Sequence, residues 1–375
     1  MRPLRICVIA SSRFPIAEPF AGGLEAHTAA LVTELRRRGH HIDLFAAPGS
    51  SPELGAHTLP VAPFSSSPTA RADLAAPPET WMAEHHAYLD LMLSLQHDSR
   101  VGPAGGSRRY DLVHNNSLHH LPIAMSAALD VPVVTTLHTP PVPWLESAVA
   151  LARDNCRFIA VSEATAAQWR PVVDARVVHN GVDPARWPVG PGGPRAVWSG
   201  RLVPEKAPHQ ALLAARRAGM PLDLVGPVGD PAYVEALVRP LLDDPAGSST
   251  GPDACYRYLG HLGQRELART VGGACVAVLT PAWEEPFGLV AVEALSTGTP
   301  VAAFARGALP EILTPTTGRL AVPDDPASLA TAMRDAAGLD RAGVRAGAAA
   351  FGLPAMVDAY ERLYAEAVGQ MEGVA

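Results

Sequence analysis

Short runs of apolar residues alternate along the chain with longer segments in which apolar residues recur every three or four positions. The runs predict buried strands at residues 5–10, 42–46, 111–114, 132–137, 158–162, 175–179, 196–199, 222–226, 257–260, 276–279, 301–304 and 318–322. Helical spacing predicts helices at residues 24–38, 81–95, 288–296, 326–337 and 354–368, and around residues 211–215. Strands and helices in regular alternation are typical of an α/β fold with parallel sheets.

The chain is long enough for two hydrophobic cores. Its 375 residues exceed the size at which a single core stops growing, and 48% of them are hydrophobic. Four prolines between Pro184 and Pro194 are typical of a linker. We therefore predict a first domain at residues 1–183, a linker at 184–195, a second domain at 196–350 and a final helix within 351–375. Residues 48–80, rich in Pro, Ser and Ala, predict an irregular segment.

Composition narrows the classes of partner. The net charge of −7 argues against a nucleic-acid partner. The sequence predicts no membrane-spanning helix, because no apolar stretch approaches 18 residues, and its first residues lack a signal-peptide cleavage region. The cysteines lack metal-site spacing and are expected to be reduced core residues: Cys7, Cys156, Cys255 and Cys275. These properties favour a cytoplasmic protein without stable membrane insertion.

Two carboxylates bracket a predicted turn between a strand and a helix. The strand ends at Leu279, and Pro286 stands two residues before the helical pattern, where it favours a helix start. The first amides of a helix lack partners and carry partial positive charge, so this turn can bind an anion. Glu285 precedes the helix and Glu293 lies inside it, leaning back toward its N-terminus. Such a turn suits a ligand with both phosphate and hydroxyl groups, as in a nucleotide sugar.

A second strand, loop and helix carries the chain's one lysine. Of 30 basic residues only Lys206 is a lysine, which suggests that a compact ammonium group is needed there. Arg201 precedes it by five residues, directly after a predicted strand and Gly200. Arginine offers a planar fork to phosphate oxygens and lysine a point charge. Together they could neutralise a diphosphate leaving group.

The first domain contributes a glycine pair and a histidine. Gly22 and Gly23 stand at the start of the first predicted helix, where backbone without side chains can approach a phosphate closely. The pair is not a G-x-G-x-x-G motif, so a dinucleotide-binding fold of that type is disfavoured. His138 ends the strand at residues 132–137, and strand ends line the ligand crevice of an open α/β sheet.

The other histidines near these strand ends are expected to be surface or hydrogen-bonded residues. They are His114, His119 and His120. No carboxylate or cysteine joins them at ligand spacing, so the sequence predicts no metal site.

Three motifs resemble those of retaining glycosyltransferases with the GT-B fold, in particular glycosyltransferase family 4. The segment E-P-F-G-L-V-A-V-E from Glu285 to Glu293 resembles the family's E-x7-E signature, and G-R-L-V-P-E-K ending at Lys206 resembles its phosphate-gripping loop. The family more often has glycine after that lysine, where this chain has Ala207. Asn180 to Asp183 resembles the N-G-V-D segment at the family's domain junction. The resemblance covers about residues 5–364 and is more specific in the second half.

The resemblance implies two Rossmann-like domains facing across a cleft, with the final helix crossing back to the first domain. It implies sugar transfer with retention, without a metal ion or cofactor. His138, Glu285, Arg201 and Lys206 would be the catalytic set. The implied donor-binding residues are Gly22, Gly23, Arg201, Lys206, Glu285, Phe287, Gly288, Leu289 and Glu293.

Within that set the resemblance implies distinct roles. Glu293 would accept hydrogen bonds from ribose hydroxyls. Glu285 and the amides of Phe287, Gly288 and Leu289 would hold the sugar hydroxyls and the distal phosphate. His138 would lie against the transferred sugar.

The donor base, the sugar and the acceptor stay open at this point. UDP is the commonest donor base in the family, and the lack of a lysine-rich surface in the first half favours a soluble small-molecule acceptor over a lipid. The alternatives are a GT-B sugar phosphorylase, a nucleotide-sugar epimerase and a non-catalytic nucleotide-sugar binding protein.

Overall fold

A computed structural model describes residues 2–73, 75–99, 109–243 and 255–372, and places thirteen strands in two parallel sheets. The first sheet contains β1 (Arg5–Ile9), β2 (His41–Ala46), β3 (Ala56–Thr58), β4 (Leu112–Asn115), β5 (Val133–Leu137), β6 (Cys156–Ala160) and β7 (Arg176–Val177). The second contains β8 (Ala196–Ser199), β9 (Leu222–Val225), β10 (Tyr256–Tyr258), β11 (Val276–Leu279), β12 (Val301–Phe304) and β13 (Gly318–Ala321).

Both sheets have the doubly wound order of a Rossmann-like domain. The orders are β3-β2-β1-β4-β5-β6-β7 and β10-β9-β8-β11-β12-β13, and the strands pair in parallel. In each sheet the first three strands are added toward one edge, and the following strands are added on the other side of the first one. The order therefore reverses between β1 and β4 in one sheet and between β8 and β11 in the other. A ligand crevice opens outside the carboxyl ends of strands at such a reversal. The prediction of two Rossmann-like α/β domains is confirmed.

Fourteen α-helices of the described residues connect and cover these strands. They are α1 (Gly23–Arg37), α2 (Glu79–Ser99), α3 (Leu121–Ala124), α4 (Pro143–Val149), α5 (Glu163–Trp169), α6 (Pro208–Ala218), α7 (Pro231–Tyr233), α8 (Arg239–Leu242), α9 (Gln264–Gly272), α10 (Leu289–Ser296), α11 (Leu309–Ile312), α12 (Pro326–Ala337), α13 (Arg341–Gly347) and α14 (Leu353–Glu372). Within the described ranges, no helix combines the length and the apolar character needed to cross a bilayer.

The strands with continuous apolar runs lie where the sequence predicts them. β8, β11 and β12 match their predicted bounds, as does α12. The prediction of an irregular segment at residues 48–80 is wrong at β3, a three-residue edge strand too short to give a periodic pattern. The residues of β3, which pairs with β2 at the edge of the sheet, are mostly exposed and give no apolar run in the sequence.

The last helix, α14, crosses back and packs on the first domain, as predicted. Tyr360 and Tyr364 are fully buried in the core that contains β1 and α1. The Tyr364 hydroxyl is hydrogen-bonded to Nδ1 of His114 at 2.8 Å, and Nε2 of the same ring is bonded to Thr136 Oγ1 at 2.9 Å. His114 is therefore an internal structural residue, in agreement with the prediction for it.

Candidate active site

A cavity of about 230 Å³ lies between the two domains at the carboxyl ends of their strands. Eight of the predicted site residues line it: Gly22, Gly23, Arg201, Lys206, Glu285, Gly288, Leu289 and Glu293. His138 and Phe287 are not among the lining residues. Groups from distant parts of the chain therefore line one cavity that is large enough for part of a nucleotide sugar.

The loop after β8 places the two cations. Leu202 is paired with Val228 in an isolated bridge, and residues Pro204–Lys206 form a single 3-10 turn that ends at Ala207. Ala207 is left-handed, with φ of 44°, a conformation that costs an L-residue free energy and that glycine adopts freely. This explains in physical terms why a glycine suits that position, and it shows that alanine supports the same turn.

Lys206 is held in place before any ligand binds. Its Nζ lies 2.5 Å from Oε2 of Glu285 and 5.1 Å from the centre of the Trp283 ring. Trp283 Nε1 donates to the same carboxylate oxygen at 3.2 Å. The Lys206 side chain is 25% exposed and that of Glu285 14%, so both keep limited exposure to solvent. A charge fixed in this way needs little reorganisation when negative charge develops nearby.

The turn before α10 has the predicted geometry. Gly288 is the residue before the helix and has φ of 87°, which a residue with a Cβ adopts only under strain. The ring of Phe287 is buried against His179 and Phe351, so only its backbone is available to a ligand. Gly288, Leu289 and Val290 line the cavity, so the first turn of α10 borders it.

Glu293 lies one turn into α10, on the cavity wall. It is half-buried, and burial raises the pKa of its carboxyl group to about 7. The carboxyl group is therefore divided between its protonated and ionised forms near neutral pH. A ligand hydroxyl that donates to it would favour the ionised form.

The glycine pair of the first domain touches the second domain. A Cβ at Gly23 would lie 3.2 Å from Cδ1 of Leu289, closer than ordinary van der Waals contact. Glu25, in the first turn of α1, is buried beside Gly22, and burial raises the pKa of its carboxyl group while Arg201 and Arg13 lower it. The two lobes meet here, and a larger residue at position 23 would require Leu289 to shift.

His138 lies deeper in the first domain, in an ordered chain of polar groups. Its Nε2 is bonded to Oδ1 of Asn116, whose Nδ2 donates to Thr28 Oγ1 at 2.6 Å. Thr28 in turn donates to the carbonyl of Leu24 at 2.8 Å. Since the amide oxygen of Asn116 can only accept, Nε2 of His138 carries the proton and Nδ1 keeps its lone pair.

Burial keeps this histidine neutral. It lowers the pKa of His138 well below the usual value, and His27 and His114 lower it further. The His27 ring lies 5.1 Å from that of His138, and neither of its nitrogens has a hydrogen-bond partner among the described residues. Burial lowers the pKa of His27 to about 4. The pair thus adds no positive charge at neutral pH.

Hydrogen bonds join the two domains beside the cavity. His261 Nε2 donates to the carbonyl of Phe20 at 2.9 Å at the cavity mouth. Ser162 Oγ donates to the Pro286 carbonyl at 2.6 Å, next to the turn that precedes α10. Glu311 accepts from the amide of Glu163 at 3.0 Å. The Pro286 contact links the residue before α5 to the turn before α10.

Several residues at the site were not predicted from the sequence. Trp283 and Glu25 carry no motif of their own, although each lies within three residues of a predicted site residue. Asn116 follows β4 just as His138 follows β5. This equivalent position after a neighbouring strand is the feature of the sequence that could have pointed to Asn116. Their roles depend on packing, which spacing along the chain does not reveal.

Comparisons with known proteins agree with this architecture. Residues 21–186 match the family model described as glycosyltransferase family 4, and residues 183–341 match that described as glycosyl transferases group 1. The chain is 30% identical over 357 residues to glycogen synthase of Mycobacterium tuberculosis, covering 84% of this chain and 82% of that protein.

Two solved structures share the fold over nearly their full length. Sucrose-phosphate synthase from Thermosynechococcus elongatus superimposes with a TM-score of 0.73 at 22% identity, over 97% of this chain and 98% of the other. Anabaena HepE in complex with UDP-glucose gives a TM-score of 0.69 at 19% identity, over 98% and 100%.

Proposed function

The chain belongs to the group 1 glycosyltransferases with a family 4 N-terminal domain, and on this premise we propose that it transfers a sugar from a UDP-sugar to a hydroxyl of a soluble small molecule. The GT-B architecture and the transferase class follow from the family. The donor base, the stereochemistry, the absence of a metal and the acceptor class belong to the proposal.

The convergence of Arg201, Lys206, Glu285 and Glu293 on one cavity carries the proposal. Two cations suit a pyrophosphate, and two carboxylates suit hydroxyl groups on either side of it. In our proposal Glu293 accepts from the ribose, while Glu285 and the first-turn amides of α10 hold the transferred sugar and the distal phosphate. The complex of HepE with UDP-glucose supports a UDP-sugar as the first donor to test.

In the proposed reaction the bond from the anomeric carbon to the distal phosphate breaks and the acceptor oxygen forms a new bond to that carbon. The leaving phosphate oxygen takes the acceptor's proton, so no protein base is required. Both events occur on one face of the sugar, which retains its configuration. The neutral His138 is consistent with this scheme, since its low pKa makes it unfit to supply a proton at neutral pH.

The cations and helix amides take the place of a divalent metal in this proposal. The one group of three metal-ligating side chains that the described residues form, which includes His85, has no member in the cavity lining. Lys206 is already positioned by Glu285 and Trp283. A fixed ammonium and a guanidinium can neutralise the departing charge without an ion.

The proposed acceptor class is supported by the charge of the chain and by the names of two similar proteins. The chain has one lysine and a net charge of −7, which disfavours an anionic lipid surface. Sucrose-phosphate synthase and glycogen synthase, by their names, make carbohydrates, and neither name indicates a lipid. These observations support a soluble hydroxyl acceptor for this chain.

One assay tests the function against its rivals. The protein is mixed with a panel of nucleotide sugars, and release of nucleoside diphosphate is followed with and without candidate hydroxyl acceptors. Acceptor-dependent release supports the transferase. Turnover with inorganic phosphate and no nucleotide would instead indicate a phosphorylase, change of the donor without acceptor an epimerase, and binding without release a non-catalytic protein.

A further inference from the structure

Three histidines from two separate segments meet on the first domain, away from the donor cavity. His85 lies on α2, and His119 and His120 follow β4. One ring nitrogen from each lies within 4.8 Å of the other two. None of the three lines the cavity between the domains. The sequence shows only the adjacent pair, because the third ligand comes from 34 positions earlier in the chain.

We propose that His85, His119 and His120 form a binding site for a late first-row divalent metal ion such as Zn²⁺. Imidazole nitrogen is a preferred ligand of zinc, copper and nickel ions. Three protein nitrogens leave the fourth tetrahedral position open for water or a ligand. Tetrahedral zinc with bonds of about 2.0–2.1 Å needs nitrogens about 3.3 Å apart, so binding must bring the three nitrogens to that spacing and turn the His119 and His120 rings out of their stacked arrangement.

One of the three rings has a buried nitrogen without a partner. A neutral imidazole has one N–H and one nitrogen with a free lone pair, and that second nitrogen is the atom that can bind a metal ion. Nδ1 of His85 is buried and has no hydrogen-bond partner among the described residues. A buried nitrogen without a partner costs free energy unless a ligand satisfies it.

Aromatic neighbours hold two of the rings in place. The ring of Trp81 stacks on that of His85 with centres 5.1 Å apart, and the ring of Tyr88 stacks on that of His119 at 4.1 Å. The Tyr88 hydroxyl donates to the Ala10 carbonyl at 2.9 Å, which ties the cluster to the end of β1. The backbone amide of Leu121 donates to Nδ1 of His119 at 3.2 Å. His119 is thus the ligand that must exchange this hydrogen bond for the ion.

Binding of the metal alone to the full-length chain tests the site, without a polyhistidine tag. After chelator treatment, the protein is titrated with Zn²⁺ against a chromophoric chelator and with Co²⁺ as an absorption reporter of four-coordinate geometry. We expect one ion per chain. His85→Gln and His120→Gln should each weaken binding at least about tenfold, since loss of even an outer partner of a metal ligand costs about 10–100-fold.

The matched control is His86→Gln. His86 is the exposed neighbour of His85 on α2, and its ring centre is 6.1 Å from that of His85. It should bind Zn²⁺ as the unaltered chain does. Zn²⁺ should also raise the melting temperature of the unaltered chain and of His86→Gln, but not of His85→Gln. Equal loss in His85→Gln and His86→Gln, or no saturable binding, would overturn the proposal.

A second measurement uses only the unaltered protein, so it tests the site even if the substituted chains misfold. Anomalous diffraction at the zinc edge, from crystals of the unaltered protein soaked in Zn²⁺, should place a peak within bonding distance of the three rings. A peak only elsewhere would refute the site. Neither measurement involves a sugar donor, so failure of the metal site and failure of the proposed transfer are distinguishable.

Discussion

Lys206 and Glu285, 79 positions apart in the chain, form an ion pair of 2.5 Å across the floor of the cavity. The pair joins the loop after β8 to the turn before α10, so one contact couples the proposed phosphate-binding and sugar-binding groups. A donor pyrophosphate that enters the cavity would meet an ammonium group already oriented by a carboxylate and by the Trp283 ring.

Removal of the lysine should therefore reduce catalysis more than stability. Lys206→Ala is expected to lower kcat by about 10²–10³-fold, the usual effect of deleting one preorganised group that stabilises transition-state charge. Thermal unfolding should change little by comparison, because Trp283 still donates to Glu285. The control is Arg239→Ala, which removes an exposed cation at the start of α8 that pairs with Glu235 and should leave turnover normal. Normal turnover in Lys206→Ala would exclude the phosphate role.

Donor binding should depend on pH through Glu293. Its pKa of about 7 in the free protein means that a growing fraction is protonated as the pH falls. If ribose hydroxyls donate to the carboxylate, binding favours the ionised form, so affinity must fall as the pH drops below 7. We expect the Kd for a UDP-sugar to be about tenfold weaker at pH 6 than at pH 8. Isothermal titration calorimetry measures this directly.

The matched variant for that experiment is Glu293→Gln, which cannot ionise. Its Kd should be weaker than that of the unaltered chain at pH 8 by about 1–3 kcal/mol and nearly independent of pH. The sugar nucleotide is the correct probe, because a free terminal phosphate titrates near pH 6 by itself. An equal pH slope in both proteins would assign the titration to another group.

Close approach of the two lobes can be tested at Gly23. A methyl group there would lie 3.2 Å from Leu289, so Gly23→Ala should oppose closure. Overpacking of this kind costs about 1–3 kcal/mol, which corresponds to a donor KM raised by about 5- to 160-fold. Alanine suits a helix, so the melting temperature should not fall. Gly338→Ala, with nothing within 4 Å of the added methyl, should match the unaltered chain, and the idea fails if both variants behave alike.

The crossing helix α14 should depend on its buried hydrogen bond to the first domain. Tyr364→Phe leaves Nδ1 of the fully buried His114 without its partner, which should lower the free energy of unfolding by about 1–3 kcal/mol. Urea titration of the variant measures the change. In a His114→Leu background the same substitution should cost much less, and an undiminished cost there would show that the bond is not responsible.

The sequence predicts the fold well because buried parallel strands leave continuous apolar runs. β8, β11 and β12 are four-residue runs buried on both faces, and their bounds could be read directly. β3 could not be predicted, since only the edge pairing with β2 defines it. Short helices such as α4 and α5, with seven residues each, give too few turns for a periodic pattern.

Part of the candidate site could likewise be predicted from the sequence, and part of it could not. Arg201, Lys206, Glu285 and Glu293 belong to contiguous motifs after strands, so their convergence on one crevice follows from topology. The partners that fix their chemistry come from elsewhere: Trp283 against Lys206, and Asn116 against His138. His85 joins His119 only because α2 packs beside the loop after β4. Such contacts depend on tertiary packing and leave no local pattern.

The most direct test of the central claim is a crystal structure of the protein with a bound UDP-sugar or UDP. The account predicts pyrophosphate oxygens within hydrogen-bonding distance, about 2.7–3.2 Å, of Lys206 Nζ or the Arg201 guanidinium group. A pyrophosphate bound beyond the reach of both side chains would contradict it.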